Sequence, residues 1–160
     1  MKTILITIAI VSSIYTYDAV TEVKIVESKP DVEVVEAVKD SVIKMSNLTE
    51  AIIQVESVGN DSAYNKSEDA VGCLQIRPVM VREVNRLLKK RKNPKRYTLL
   101  NRWDRQKSIE MFLVFTKNIS KPEAKARCWN GGPKGMTKSA TIKYWNKVKT
   151  ILTKGEWSPF

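Results

Sequence analysis

From residue 41 onward, apolar residues recur at helical spacing and are cut at short intervals by breakers, while no stretch alternates as a strand would. Pro78, Pro94, Pro122 and the triplet Gly131-Gly132-Pro133 each end or open a segment. A chain so punctuated can only fold as a set of short helices packed on one another, so the expected class is mainly α. Asn47 with Glu50 three residues later has the pattern of a capping box, and Leu48, Ala51, Ile52 and Val55 share one face, which predicts a helix over 48–57. Gly59 to Ser67 is rich in Gly, Asn, Asp and Ser and reads as a loop. Pro78 fits the first turn of a helix running to Leu88, with Val81, Val84, Leu87 and Leu88 inward. Asp104 is placed to cap a helix carrying Ile109, Phe112, Leu113 and Phe115. Pro122 opens another helix, stopped at Gly131-Gly132-Pro133, and Lys138 to Leu152 makes the last.

The part before this region differs in kind. Met1-Lys2-Thr3, the apolar run Ile4 to Val11 and then Ser12-Ser13 resemble a secretory signal over 1–18, with a short anchor as the alternative; the run is shorter than the roughly 20 residues of a membrane span. Residues 19–44 mix valine with acids around Pro30 and read as an acidic linker, with one domain expected over 45–160. Charge divides along the same line. Residues 18–40 hold seven acids against three lysines, whereas residues 41–160 hold ten acids against 24 bases. The folded region is therefore the basic one and will concentrate a polyanion, whether nucleic acid, anionic membrane or bacterial wall. Lys89-Lys90-Arg91-Lys92 and Lys95-Arg96 are the densest cluster, but an export signal argues against a nucleic-acid partner.

The chain has no histidine and two cysteines, Cys73 and Cys128. This excludes histidine-dependent nucleophilic arrangements, His-containing zinc sites and a four-cysteine zinc site within one chain. If there is chemistry here, carboxylates are expected to carry it. Glu56 is the candidate among seventeen acids, because it follows Ile52, Ile53 and Val55 at a helix end. Apolar surroundings disfavour the ionised form and keep a proton available near neutral pH, which a general acid requires. Gly72 permits close backbone approach and Gln75 offers both a donor and an acceptor. Gly131 and Gly132 allow a tight turn that would point Asn130 into a cleft.

Taken in order, Glu56-Ser57, Gly72-Cys73-Leu74-Gln75, Cys128-Trp129-Asn130-Gly131-Gly132-Pro133 and Tyr144 resemble the catalytic domain of the soluble lytic transglycosylases, relatives of goose-type lysozyme. The resemblance covers roughly residues 45–150. It implies a lysozyme-like helical fold with a saccharide cleft, Glu56 as the catalytic acid, and Ser57, Gly72, Cys73, Gln75, Asn130 and Tyr144 as substrate-binding residues. It also implies cleavage of peptidoglycan glycan strands between N-acetylmuramic acid and N-acetylglucosamine, with no cofactor and no metal. A monomer is expected, exported to the periplasm or cell envelope or carried by a phage, with a trans-envelope or phage assembly as a further partner. Two residues depart from the family pattern: Cys73 stands for a leucine and Trp129 for a tyrosine. Both cysteine segments line one cleft in the family, so a Cys73–Cys128 disulfide stands open against two free thiols. Glu68 or Asp69, if either reaches the cleft, would make the enzyme a hydrolytic muramidase instead. A non-catalytic wall-binding component of a phage particle or secretion apparatus is the remaining alternative.

Overall fold

The computed structural model describes residues 32–154, with the side chains of residues 32–35 and Ile43 left out; the signal expected over 1–18 and the first part of the acidic linker lie outside the described residues. Five α-helices make up most of this region: α1 (Val32–Ser57), α2 (Pro78–Lys90), α3 (Arg105–Thr116), α4 (Pro122–Gly131) and α5 (Ala140–Lys154). Short 3₁₀ turns at Leu99–Trp103 and Gly135–Thr137 lead into α3 and α5. The class is mainly α, as the spacing of breakers predicts.

Two elements differ from the sequence-based expectation. The first helix does not begin at Leu48: α1 runs unbroken from Val32. No glycine or proline lies between Pro30 and Ser57 to stop it, so Asn47 is an interior residue and not a cap. Nearby, the Thr49 hydroxyl bonds back to the Met45 carbonyl at 2.9 Å. Only the second half of α1 is packed; Leu48, Ala51, Ile52 and Ile53 are buried, whereas residues 36–42 are exposed. The second difference is a small antiparallel hairpin that begins in the predicted loop and ends just beyond it, β1 (Tyr64–Asn65) with β2 (Ala70–Val71), in the register Tyr64 to Val71 and Asn65 to Ala70. Two-residue strands are too short to produce a readable alternation.

The other boundaries follow their local chemistry. Pro78 and Pro122 occupy the first turns of α2 and α4, where a missing N–H costs nothing. Asp104 caps α3 by accepting from the Lys107 amide at 2.9 Å. Helix α4 stops where Gly132 takes φ 78°. Along α3 the buried apolar residues are Met111, Phe112 and Phe115, while Leu113 faces solvent.

The core is continuous, joining Ile52 and Ile53 of α1, Leu74 and Ile76 of the loop, Val81 and Val84 of α2, Phe112 of α3, Trp129 of α4 and Val148 of α5. Helix α5 packs against both α1 and α4, and α3 against α2 and α4. Phe112 and Phe115 meet Trp129 edge-to-face, with ring centroids at 5.2 and 5.9 Å. Among the described residues, no helix is long and apolar enough to cross a membrane.

Candidate active site

Glu56 sits in the last turn of α1, where the chain leaves the helix through Val58 and Gly59, both at positive φ. Its neighbours Ile52 and Ile53 anchor that turn in the core, so the backbone at Glu56 is held rigidly. The side chain stands at the edge of an open pocket of about 490 Å³. One oxygen, Oε1, accepts a hydrogen bond from the Tyr144 hydroxyl of α5 at 2.8 Å. Burial is the dominant influence on this carboxyl. It raises the pKa from 4.5 to about 7; the Tyr144 hydrogen bond and the positive charge of Arg77 pull the other way, and the charge of Glu68 adds to the rise. Burial also lifts the Tyr144 phenol well above its usual value, so it remains a donor. The outcome is a carboxyl group that holds its proton closer to neutral pH than an ordinary glutamate does, with one oxygen fixed by a phenol.

Beyond Glu56 of α1, the pocket draws on five parts of the chain. Asn65, Glu68 and Ala70 come from the hairpin, Gln75 and Arg77 from the loop before α2, Met80 and Glu83 from α2, and Phe115, Trp129 and Asn130 from α3 and α4. Among the residues singled out in the sequence, Glu56, Gln75 and Asn130 therefore share one pocket. Tyr144 enters by holding Glu56.

Ser57, Gly72 and Cys73 do not line it; they build the wall from behind. The Ser57 hydroxyl donates to the Cys73 carbonyl at 2.9 Å and so ties the end of α1 to the loop. Gly72 has φ 76°, and a Cβ there would collide with the backbone carbonyl of Arg102. Close backbone approach is thus the reason for that glycine. Cys73 is buried with only 1% of its surface exposed, and burial pushes its thiol up to about 11. Its side chain belongs to the core and is unavailable to a substrate.

Cys73 and Cys128 are both buried and unbonded to each other in the structure. Their surroundings differ. Asp61 and Arg105 act on Cys73, whereas the Cys128 sulfur meets the Pro133 carbonyl at 3.8 Å.

Gln75 lines the pocket, but its donor group is engaged elsewhere. Its Nε2 donates to the backbone carbonyls of Gly72 and Ala63 at 3.1 and 3.3 Å, so both amide protons serve the loop and not a ligand. The residue adopts φ 45°, an uncommon value for a side chain larger than glycine. Tight turning between Val71 and Ile76, whose backbones exchange hydrogen bonds at 3.2 and 2.9 Å, imposes it.

The two acids of the hairpin loop separate. Glu68 lines the pocket and lies 3.7 Å from Arg77; Asp69 turns away to Arg102, whose guanidinium reaches its carbonyl at 2.7 Å and its carboxylate at 3.3 Å. Arg77 is the residue the sequence reading passed over. A signal was present, because the residue before Pro78 is held extended by its proline and so projects from the helix start. Its backbone angles, φ −87° and ψ 155°, follow that rule.

No family model matches the chain, and comparison with curated proteins and with solved structures gives no match either.

Proposed function

We propose that this chain is a peptidoglycan lytic transglycosylase, exported to the cell envelope, that uses Glu56 as acid and then as base. The observation that carries the reading is a single carboxyl raised to about 7 at the edge of a pocket, with Tyr144 fixing one oxygen and leaving the other for a ligand. A lysozyme-like saccharide cleft is part of the same proposal.

In the first half of the reaction, protonated Glu56 gives its proton to the glycosidic oxygen as the bond to C1 of N-acetylmuramic acid breaks. In the second, the carboxylate takes the proton from the 6-hydroxyl of the same sugar while that oxygen attacks C1. The products are a free N-acetylglucosamine end and a 1,6-anhydromuramic acid end, with water playing no part. A pKa near ambient pH suits a group that must donate and then accept. Asn130, exposed at the end of α4, is free to hold a sugar, and Trp129 forms part of the floor. The basic surface suits an anionic wall.

A second reading has one observation in its favour: Glu68 lines the same pocket. If Glu68 activates water, the same fold yields a hydrolytic muramidase, with Glu56 as acid and Glu68 as base.

Digestion of purified peptidoglycan, followed by mass analysis of the released muropeptides, separates the readings. Anhydro ends are expected; reducing ends would replace the proposal with hydrolysis. Absence of any release would leave only a wall-binding role.

A further inference from the structure

We infer that Arg77 is a specificity-determining residue, which recognises a carboxylate on the 3-O-lactyl substituent of the muramic acid sugar seated beside Glu56. This rests on the functional reading above and deepens it.

Arg77 is the arginine that lines the pocket, and unlike several arginines nearby it is not tied down by acceptors. Arg102 donates to the carbonyls of Asp69 and Ile76, Arg105 to the carbonyl of Gly59, Arg127 to Glu123 and to Met136, and Arg86 clasps both oxygens of Glu83. Each is held in place by its acceptors. The guanidinium of Arg77 makes no hydrogen bond among the described residues; its nearest acceptor, Glu68 Oε2, is 3.7 Å away, and the two side chains are 43% and 57% exposed. A wet ion pair at that distance holds little energy, so an entering anion can displace Glu68 at small cost.

Position makes the loose cation informative. Arg77 lines the same pocket as Glu56 and stands near enough to act on its charge. It projects from the rigid start of α2, where Pro78 fixes the helix, so the guanidinium fork is presented from a defined base. A planar fork with five donors matches a carboxylate better than it matches any sugar hydroxyl. In a wall glycan, carboxylates are carried by the lactyl ether of muramic acid, either as the free lactyl acid or through the peptide attached to it. N-acetylglucosamine has none. A cation here therefore distinguishes the two sugars and sets which one lies on the Glu56 side of the scissile bond.

The test is equilibrium binding to full-length Glu56→Gln protein, so that no ligand is consumed. Three tetrasaccharides are compared: an alternating muramic acid glycan with free lactyl acids, the same glycan bearing peptide stems, and chitotetraose. At least one carboxylate-bearing ligand should bind about tenfold or more tightly than chitotetraose, and which one it is identifies the carboxylate as lactyl or peptidyl. The preference should shrink as salt is raised. Adding Arg77→Gln should abolish the preference while chitotetraose still binds, and Arg77→Lys should keep part of it. Equal binding of all three ligands by the Glu56→Gln protein, or a preference that survives Arg77→Gln, overturns the inference and leaves the proposed activity intact. Failure to bind any of the three overturns the functional reading itself.

Discussion

The segment from Glu56 to Arg77 has two faces, and they are built on opposite principles. Behind it, toward Arg102 and Arg105, polar groups are well satisfied. Arg102 is almost wholly buried and reaches the carbonyls of Leu99, Asp69 and Ile76; Arg105 reaches Gly59, Asp61 and Glu50; the Gly72 backbone lies directly on the Arg102 carbonyl. In front, toward the pocket, satisfaction is sparse: Glu56 has one bond from a phenol, and Arg77 has only a distant acid. The back face fixes geometry because a buried group without a partner is costly. The front face keeps charge and proton-binding capacity unquenched, which is what a ligand or a reaction can use.

Substitutions on the two faces should therefore fail in different ways. The largest effect is expected at the back. Gly72→Ala forces a Cβ onto a backbone carbonyl at positive φ and should cost about 4 kcal/mol of stability, read as a lowered urea midpoint. A midpoint near wild type would mean that the back face yields easily, and the contrast would collapse.

Glu56→Gln comes next and should show the opposite signature. Release from peptidoglycan should fall by about 100-fold or more. Stability should rise, but only in a defined pH window. The folded protein holds the Glu56 proton more tightly than the unfolded chain does, so wild-type stability declines as pH climbs from about 4.5 through about 7. The full penalty is roughly 3 kcal/mol above that range. The variant escapes it, so the two proteins should have similar midpoints near pH 4 and diverge by pH 8. Parallel curves across that range would show that Glu56 is not a carboxyl strained by burial. For the same reason, wild-type activity should fall as pH rises through about 7, as the acid loses its proton.

Tyr144→Phe removes the only described hydrogen bond to Glu56. That bond lowers the carboxyl pKa, so its loss should move the alkaline limb of the activity profile upward, and the loosened carboxyl should lower the rate by up to about tenfold. An unmoved limb would argue that burial alone sets the pKa. The smallest effect belongs to Arg105→Ala, about 1 kcal/mol of stability, because this arginine is about a third exposed and solvent screens its pairs with Asp61 and Glu50. A loss as large as that from Gly72→Ala would extend the rigid back face to the protein surface.

How legible the site was depends on the range of the interaction. Helix starts at Pro78, Asp104 and Pro122 and the stop at Gly132 rest on groups within one turn, and the sequence marks them. The start of α1 is not marked in this way, because Asn47 and Glu50 have capping identities in a stretch that nothing interrupts. Cys73, Gly72 and Ser57 were recognisable as belonging to the site region, but which side of the wall each faces depends on Arg102 and on the core, far along the chain. Gln75 carries the same lesson, since its amide turns to the backbone of its own loop.

By itself, then, the sequence determined a mainly helical chain, the absence of histidine, and a glutamate at a helix end followed in order by residues able to surround it. These follow from composition and from contacts within a few residues. Tertiary structure decided that Tyr144 of α5 reaches Glu56 of α1, that Glu68 and Arg77 enter the pocket while Asp69 leaves it, that the two cysteines stay apart, and that burial lifts one carboxyl to about 7. Each depends on which helices pack together, and a pKa or a long-range hydrogen bond exists only once that packing has excluded water.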